Sequence, residues 1–135
     1  MIRIKTIFLG CLLIALAACD STQYDQGKML YERFCSNCHA TDGSGLEKLI
    51  PPLAGSDYLQ KNQESLACIV RNGLTDSIHV NKVFYAQPMP GVPQLSDFEI
   101  TNIVNYINQA WGNDYGFMKI EKVRRSLQNC NKKAY

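Results

Sequence analysis

The sequence predicts a small all-α domain, and three observations carry that prediction. Tyr24, Gly27, Tyr31 and Phe34 recur at spacings of three and four, the stripe of an amphipathic helix. Ser96-Asp97-Phe98-Glu99 reads as a capping box, and Ile100, Ile103, Val104, Ile107 and Trp111 follow it as a second stripe. Ile120, Val123, Leu127 and Cys130 give a last helix with basic groups on its other side.

The connecting segments read as follows. Ala40–Leu49, with Asp42-Gly43 and Gly45, is a loop. Pro51-Pro52-Leu53 is extended, because proline fixes its own φ and restricts the residue before it. Asn62–Asn72 reads as a short helix stopped at Gly73. Ile78, Val80, Val83 and Tyr85 flank Asn81-Lys82 as a small hairpin.

The first helix runs into Cys35-Ser36-Asn37-Cys38-His39. A C-x-x-C-H run is an attachment site for c-type haem. The two thiols sit at the spacing of the two haem vinyl groups, and the adjacent histidine comes under the ring, where a neutral imidazole can ligate iron. The alternatives are a thioredoxin-like redox pair or half of a zinc site. The first needs a βαβ context, whereas Lys28–Phe34 reads as helix. The second needs another C-x-x-C, and the chain has none.

The N-terminus reads as an export signal. Arg3 and Lys5 precede the apolar run Ile7–Leu16, which is short for a membrane span. Leu16-Ala17-Ala18-Cys19 resembles a bacterial lipobox, which implies cleavage before Cys19 and lipidation of that cysteine. The alternative is an ordinary signal peptide cut after Ala18. The expected organisation is a signal peptide over 1–18, a tether over 19–23, a domain over 24–116 and a basic extension over 117–135. Loss of Arg3 and Lys5 removes the whole formal excess of +2. Residues 19–116 carry 6 basic and 11 acidic side chains, residues 117–135 carry 6 basic and 1 acidic. An acidic main body argues against nucleic acid as a partner. Of the six cysteines, Cys11 leaves with the signal, Cys19 takes lipid, and Cys35 and Cys38 take haem. Cys68 and Cys130 remain, and an exported domain commonly pairs such a couple. Two buried free thiols are the alternative.

An electron-carrying haem iron wants a second axial ligand. Met29 is too near Cys35 to reach the opposite ring face, and Met118 belongs to the last segment. Met89 sits in Gln87-Pro88-Met89-Pro90-Gly91, a proline-stiffened loop suited to holding a ligand against a ring. His79 is its competitor.

With these residues in view, the chain resembles a class I cytochrome c, the mono-haem family with histidine and methionine as axial ligands, over about residues 24–113. The resemblance implies an all-α fold wrapped around one covalent haem c. It implies that Cys35 and Cys38 hold the haem, that His39 and Met89 are the axial ligands, and that the carbonyl of Pro52 accepts from the other nitrogen of the axial histidine. Gly27 and Tyr31 match the glycine and aromatic of the first helix, and Ile103 and Tyr106 match the residues packed across it. The stretch from Val80 through Tyr85, Met89-Pro90 and Trp111-Gly112-Asn113 looks like a bacterial subgroup found alone or fused to oxidases and reductases. That subgroup usually has Asn-Gly in the hairpin, where this chain has Asn81-Lys82.

The expected function is one-electron transfer between membrane redox complexes, at the periplasmic face of the inner membrane, with redox proteins as partners and no small-molecule substrate. An electron-entry subunit of an oxidase or reductase is one alternative, and a haem enzyme with a labile axial ligand is another.

Overall fold

A computed structural model describes residues 23–130. The expected signal peptide, the expected lipidation site Cys19, nearly all of the tether and the last five residues of the expected basic extension lie outside the described residues. Along the chain come α1 (Gln23–Phe34), α2 (Ser36–His39), α3 (Asp57–Lys61), α4 (Leu66–Asn72), β1 (Gly73–Leu74), β2 (Ile78–Val80), β3 (Val83–Tyr85), β4 (Met89–Pro90), α5 (Asp97–Gln109), a 3-10 turn (Ala110–Gly112) and α6 (Ile120–Gln128). The fold is mostly helical.

The frame is the crossing of α1 and α5. It exists because Gly27 has no side chain: a Cβ there would collide with the carbonyl oxygen of Asn102 and the Cβ of Tyr106. Tyr31 and Tyr106 pack beside the crossing with ring centroids 5.3 Å apart, and Trp111 closes the group at 5.0 Å from Tyr31. α5 starts where the capping box places it. Ser96 Oγ accepts from the Glu99 N–H, and the Glu99 carboxylate accepts from the Ser96 N–H. Ile100, Ile103, Val104 and Ile107 then form the centre of the core.

Two local expectations need correction, and a third, the hairpin, holds. The predicted helix over Asn62–Asn72 starts only at Leu66, and a separate α3 precedes it, capped by Ser56 Oγ accepting from the Leu59 N–H at 3.1 Å. Trp111 does not continue α5: its φ is +55°, so the chain turns sharply there. The hairpin turn is tight even though Lys82 replaces the usual glycine. Asn81 and Lys82 have φ of +51° and +69°, the two left-handed residues of a type I′ turn. Asn81 is braced there by a reciprocal pair with Asp57: its N–H donates to Asp57 Oδ1 at 2.7 Å, and its Oδ1 accepts from the Asp57 N–H at 3.1 Å.

α6 is part of the packed body. Val123 is fully buried and Met118 is 3% exposed. Asn105 on α5 accepts from the Met118 N–H at 2.7 Å and donates to its carbonyl at 3.0 Å. Cys68 on α4 and Cys130 after α6 are joined by a disulfide.

Candidate functional site

A crevice, open at its mouth, lies between α1–α2, the 49–59 segment, α4 and the 74–90 segment. Its walls are almost entirely apolar, among them Leu53, Leu59, Ile69, Val80, Ile103 and Ile107. Cys35, Cys38 and His39 enter from one wall and Met89 from the 74–90 segment. His79 is not among the lining residues. It sits exposed on β2, paired with Phe84 across the hairpin at 5.3 Å between ring centroids.

The geometry around His39 fixes what its ring can do. Its Nδ1 lies 3.1 Å from the carbonyl oxygen of Pro51. A carbonyl only accepts, so the bond requires the proton on Nδ1 and leaves the Nε2 lone pair available. Burial lowers the His39 pKa, opposed by the Pro51 bond, so the ring stays neutral at physiological pH. This is the protonation state of a metal ligand.

The accepting carbonyl is that of Pro51, not of Pro52 as the resemblance implied. The residue before a proline is held extended, and successive carbonyls in extended chain point to opposite sides. A shift of one residue therefore turns the acceptor away from the ring. The loop is fixed on both flanks: Leu46 and Ile50 form a bridge before it, and the N–H groups of Leu53 and Ala54 both donate to the Gly43 carbonyl after it, at 2.8 and 3.0 Å. Asn113 ties the same segment to α5, with Nδ2 donating to the carbonyls of Leu53 and Ile107 and Oδ1 accepting from the Gly55 N–H.

Cys35 and Cys38 are free thiols, Cys35 half-buried and Cys38 exposed. Burial, with a smaller contribution from Cys38, pushes Cys35 up to about 11. A disulfide oxidoreductase needs the opposite shift, a depressed thiol at the end of a βαβ unit. The raised Cys35 thiol and the helix that precedes it both argue against a thioredoxin-like pair. Among the described residues no cluster of three or more His, Cys, Asp or Glu could hold a metal ion, which removes the zinc reading there.

Met89 is positioned by more than its prolines. β4 pairs antiparallel with β1, Leu74 opposite Met89 and Gly73 opposite Pro90. Gly73 has φ +84°, and a Cβ on it would collide with the Met89 carbonyl oxygen. The Val92 N–H donates to the Val70 carbonyl at 2.9 Å and continues the attachment to α4. Sequence reasoning missed this ladder, since a two-residue pairing across fifteen residues has no local periodicity. Tyr31 was legible as a first-helix aromatic, but not its place at the site: it lines the crevice and donates its hydroxyl to the Ala40 carbonyl at 2.6 Å, pinning the residue that follows His39.

The donor set fits a covalently held haem. Two thiols, a neutral imidazole and a thioether line one crevice, and the rest of its lining is almost entirely apolar.

Comparison with known proteins agrees. The family model of cytochrome c matches residues 24–111. Cytochrome c-552 of Thermus thermophilus is 35% identical over 103 residues, covering 73% of this chain and 65% of its own length. The cytochrome c subunit of the quinone alcohol dehydrogenase of Gluconobacter oxydans is 35% identical over 95 residues, 68% of this chain and 20% of that protein. The gluconate 2-dehydrogenase cytochrome c subunit of Pantoea cypripedii is 30% identical over 112 residues, 81% of this chain and 25% of that protein. The chain thus spans just under two thirds of the first relative and a quarter or less of the other two.

Proposed function

This chain belongs to the cytochrome c family, a haem c protein that carries electrons and is not itself a catalyst, and from that premise we propose a specific role. It is a lipid-anchored mono-haem carrier that passes single electrons between respiratory redox proteins at the periplasmic face of the inner membrane. Cys35 and Cys38 would hold the haem through thioether bonds, and His39 and Met89 would ligate its iron. Cys19, following a signal peptide over 1–18, carries the lipid.

The observation that carries the reading is the placement of Met89, on the β1–β4 ladder in the same crevice as His39. The bound haem supplies a one-electron iron couple, and thioether sulfur favours the reduced state and raises the potential. The rest falls to the protein. Pro51 orients the imidazole and keeps its ligating nitrogen unprotonated. The apolar walls keep water from the ring. The β1–β4 ladder holds the thioether in place, so electron transfer requires little rearrangement.

The dehydrogenase subunits among the relatives favour a second reading, in which this chain is the electron-entry subunit of a larger complex. Copurification with a multi-subunit enzyme separates it from the free carrier.

The test of the ligand set is a pair of substitutions. Met89→Ala should abolish the weak red absorption of ferric iron bound to methionine sulfur and lower the potential. His79→Ala should leave both unchanged. The reverse pattern would replace Met89 with His79.

A further inference from the structure

The family match ends at residue 111, so α6 lies beyond it. Nothing in α6 lines the crevice, yet its fastenings lead to a helix that does. Cys130 is joined to Cys68, within α4. Cys68 is fully buried and Cys130 is 8% exposed, so the bond sits in close-packed protein, which transmits displacement. Ser126 Oγ donates to the Glu64 carbonyl at 2.6 Å, just ahead of the start of α4. A third tie runs through Asp97, with Arg71 of α4 at 2.9 Å and Arg124 of α6 at 3.7 Å. These groups are partly exposed, so that tie contributes least.

α4 is also the element on which the Met89 strand is laid. It runs without a break into β1, where Leu74 pairs with Met89. The Val92 N–H donates to the Val70 carbonyl at 2.9 Å. Gly91 lies so close to α4 that a Cβ there would collide with the backbone of Arg71 and Asn72. Leu66, Ile69 and Val70 of the same helix line the crevice. β1 and β4 are two residues each, too short to hold a position of their own. A displacement of α4 therefore carries the crevice wall and the methionine strand with it.

We infer that the C-terminal segment is a brace for the distal ligand: Cys68, Ser126 and Cys130 are positioning residues that fix α4, and α4 fixes the strand that presents Met89. The inference rests on the proposed His39/Met89 ligation. Cys35, Cys38 and His39 follow α1, which the brace does not touch, so its loss is felt on the Met89 side alone. A chain without the brace keeps its haem and gives up Met89 more readily to an added ligand.

The test is imidazole titration of the ferric, haem-loaded full chain. Imidazole binds by displacing the distal ligand, so its affinity reports how firmly Met89 is held. Linked sites usually couple by about 5- to 150-fold, and C68A/C130A should bind imidazole about tenfold more tightly than the parent, with a lower potential. Ser126→Ala, which leaves the disulfide in place, should shift the affinity the same way by about two- to threefold. Both are read where circular dichroism shows the variant folded. A merely structural clamp lowers the melting temperature and leaves imidazole affinity and potential at the parent values; that result in both variants overturns the inference. If C68A/C130A does not take up haem, Ser126→Ala decides. Met89→Ala separates the brace from the ligand set. If it binds imidazole no more tightly than the parent, the Met89 ligation fails and the brace falls with it. If it binds much more tightly while C68A/C130A and Ser126→Ala match the parent, the ligation stands and the brace alone is lost.

Discussion

Breaking the Cys68–Cys130 bridge should cost more stability than any other change outside the crevice. The bond joins residues 62 apart in sequence. Chain-entropy reasoning gives about 4 kcal/mol for a loop of that length. The haem thioethers do not replace it, because both attach within the four residues Cys35–Cys38. For a domain of this size about 4 kcal/mol lowers the melting temperature by roughly 15 °C. C68A/C130A, haem-loaded and oxidised, should show that fall in far-ultraviolet circular dichroism, and dithiothreitol should reproduce it in the parent. The location of the loss is also predicted. α6 holds to the body mainly through Val123, Met118 and this bond. Trypsin should therefore cut the reduced chain at Arg124 or Arg125 before global unfolding, and leave the oxidised chain intact. A fall below about 5 °C, with no new cleavage, would refute the idea that the bond clamps α6.

Two further substitutions test the frame. Gly27→Ala forces a Cβ into the Asn102 carbonyl and the Tyr106 side chain, so the helix crossing must open; a loss of about 2–3 kcal/mol or more is expected in denaturant titration. Ser96→Ala removes the α5 cap and should cost about 1 kcal/mol. Hydrogen bonds from Ser96 hold the Glu99 carboxyl below its ordinary 4.5. A depressed acid contributes stability above its unfolded value and loses it as pH falls through the folded one, so the gap between parent and variant should narrow below about pH 4.5.

The parts of this protein legible in sequence are those whose cause is local. The α1 stripe, the α5 capping box and the Cys35–His39 run each lie within a few residues, and each names its own structure. Asn81-Lys82 announced a hairpin, but the turn is held by Asp57, 24 residues away, which no local pattern reveals. The same applies at the site. Pro51 and Pro52 are equivalent as letters, and only the direction of an extended carbonyl decides between them. Met89 was legible as a methionine between prolines; its pairing with Leu74, and the reason residue 73 must be glycine, came from chain segments meeting in space. α3 was missed because five residues carry too little periodicity to be seen.

The central claim is that both axial positions of the haem iron are filled by this chain, which makes it a carrier of electrons. Carbon monoxide titration of the reduced, native protein at neutral pH tests that most directly. The account predicts a spectrum unchanged by carbon monoxide in the parent, and ready formation of the carbon monoxide adduct in Met89→Ala. Prompt binding of carbon monoxide by the parent, at the same affinity as the variant, would contradict it.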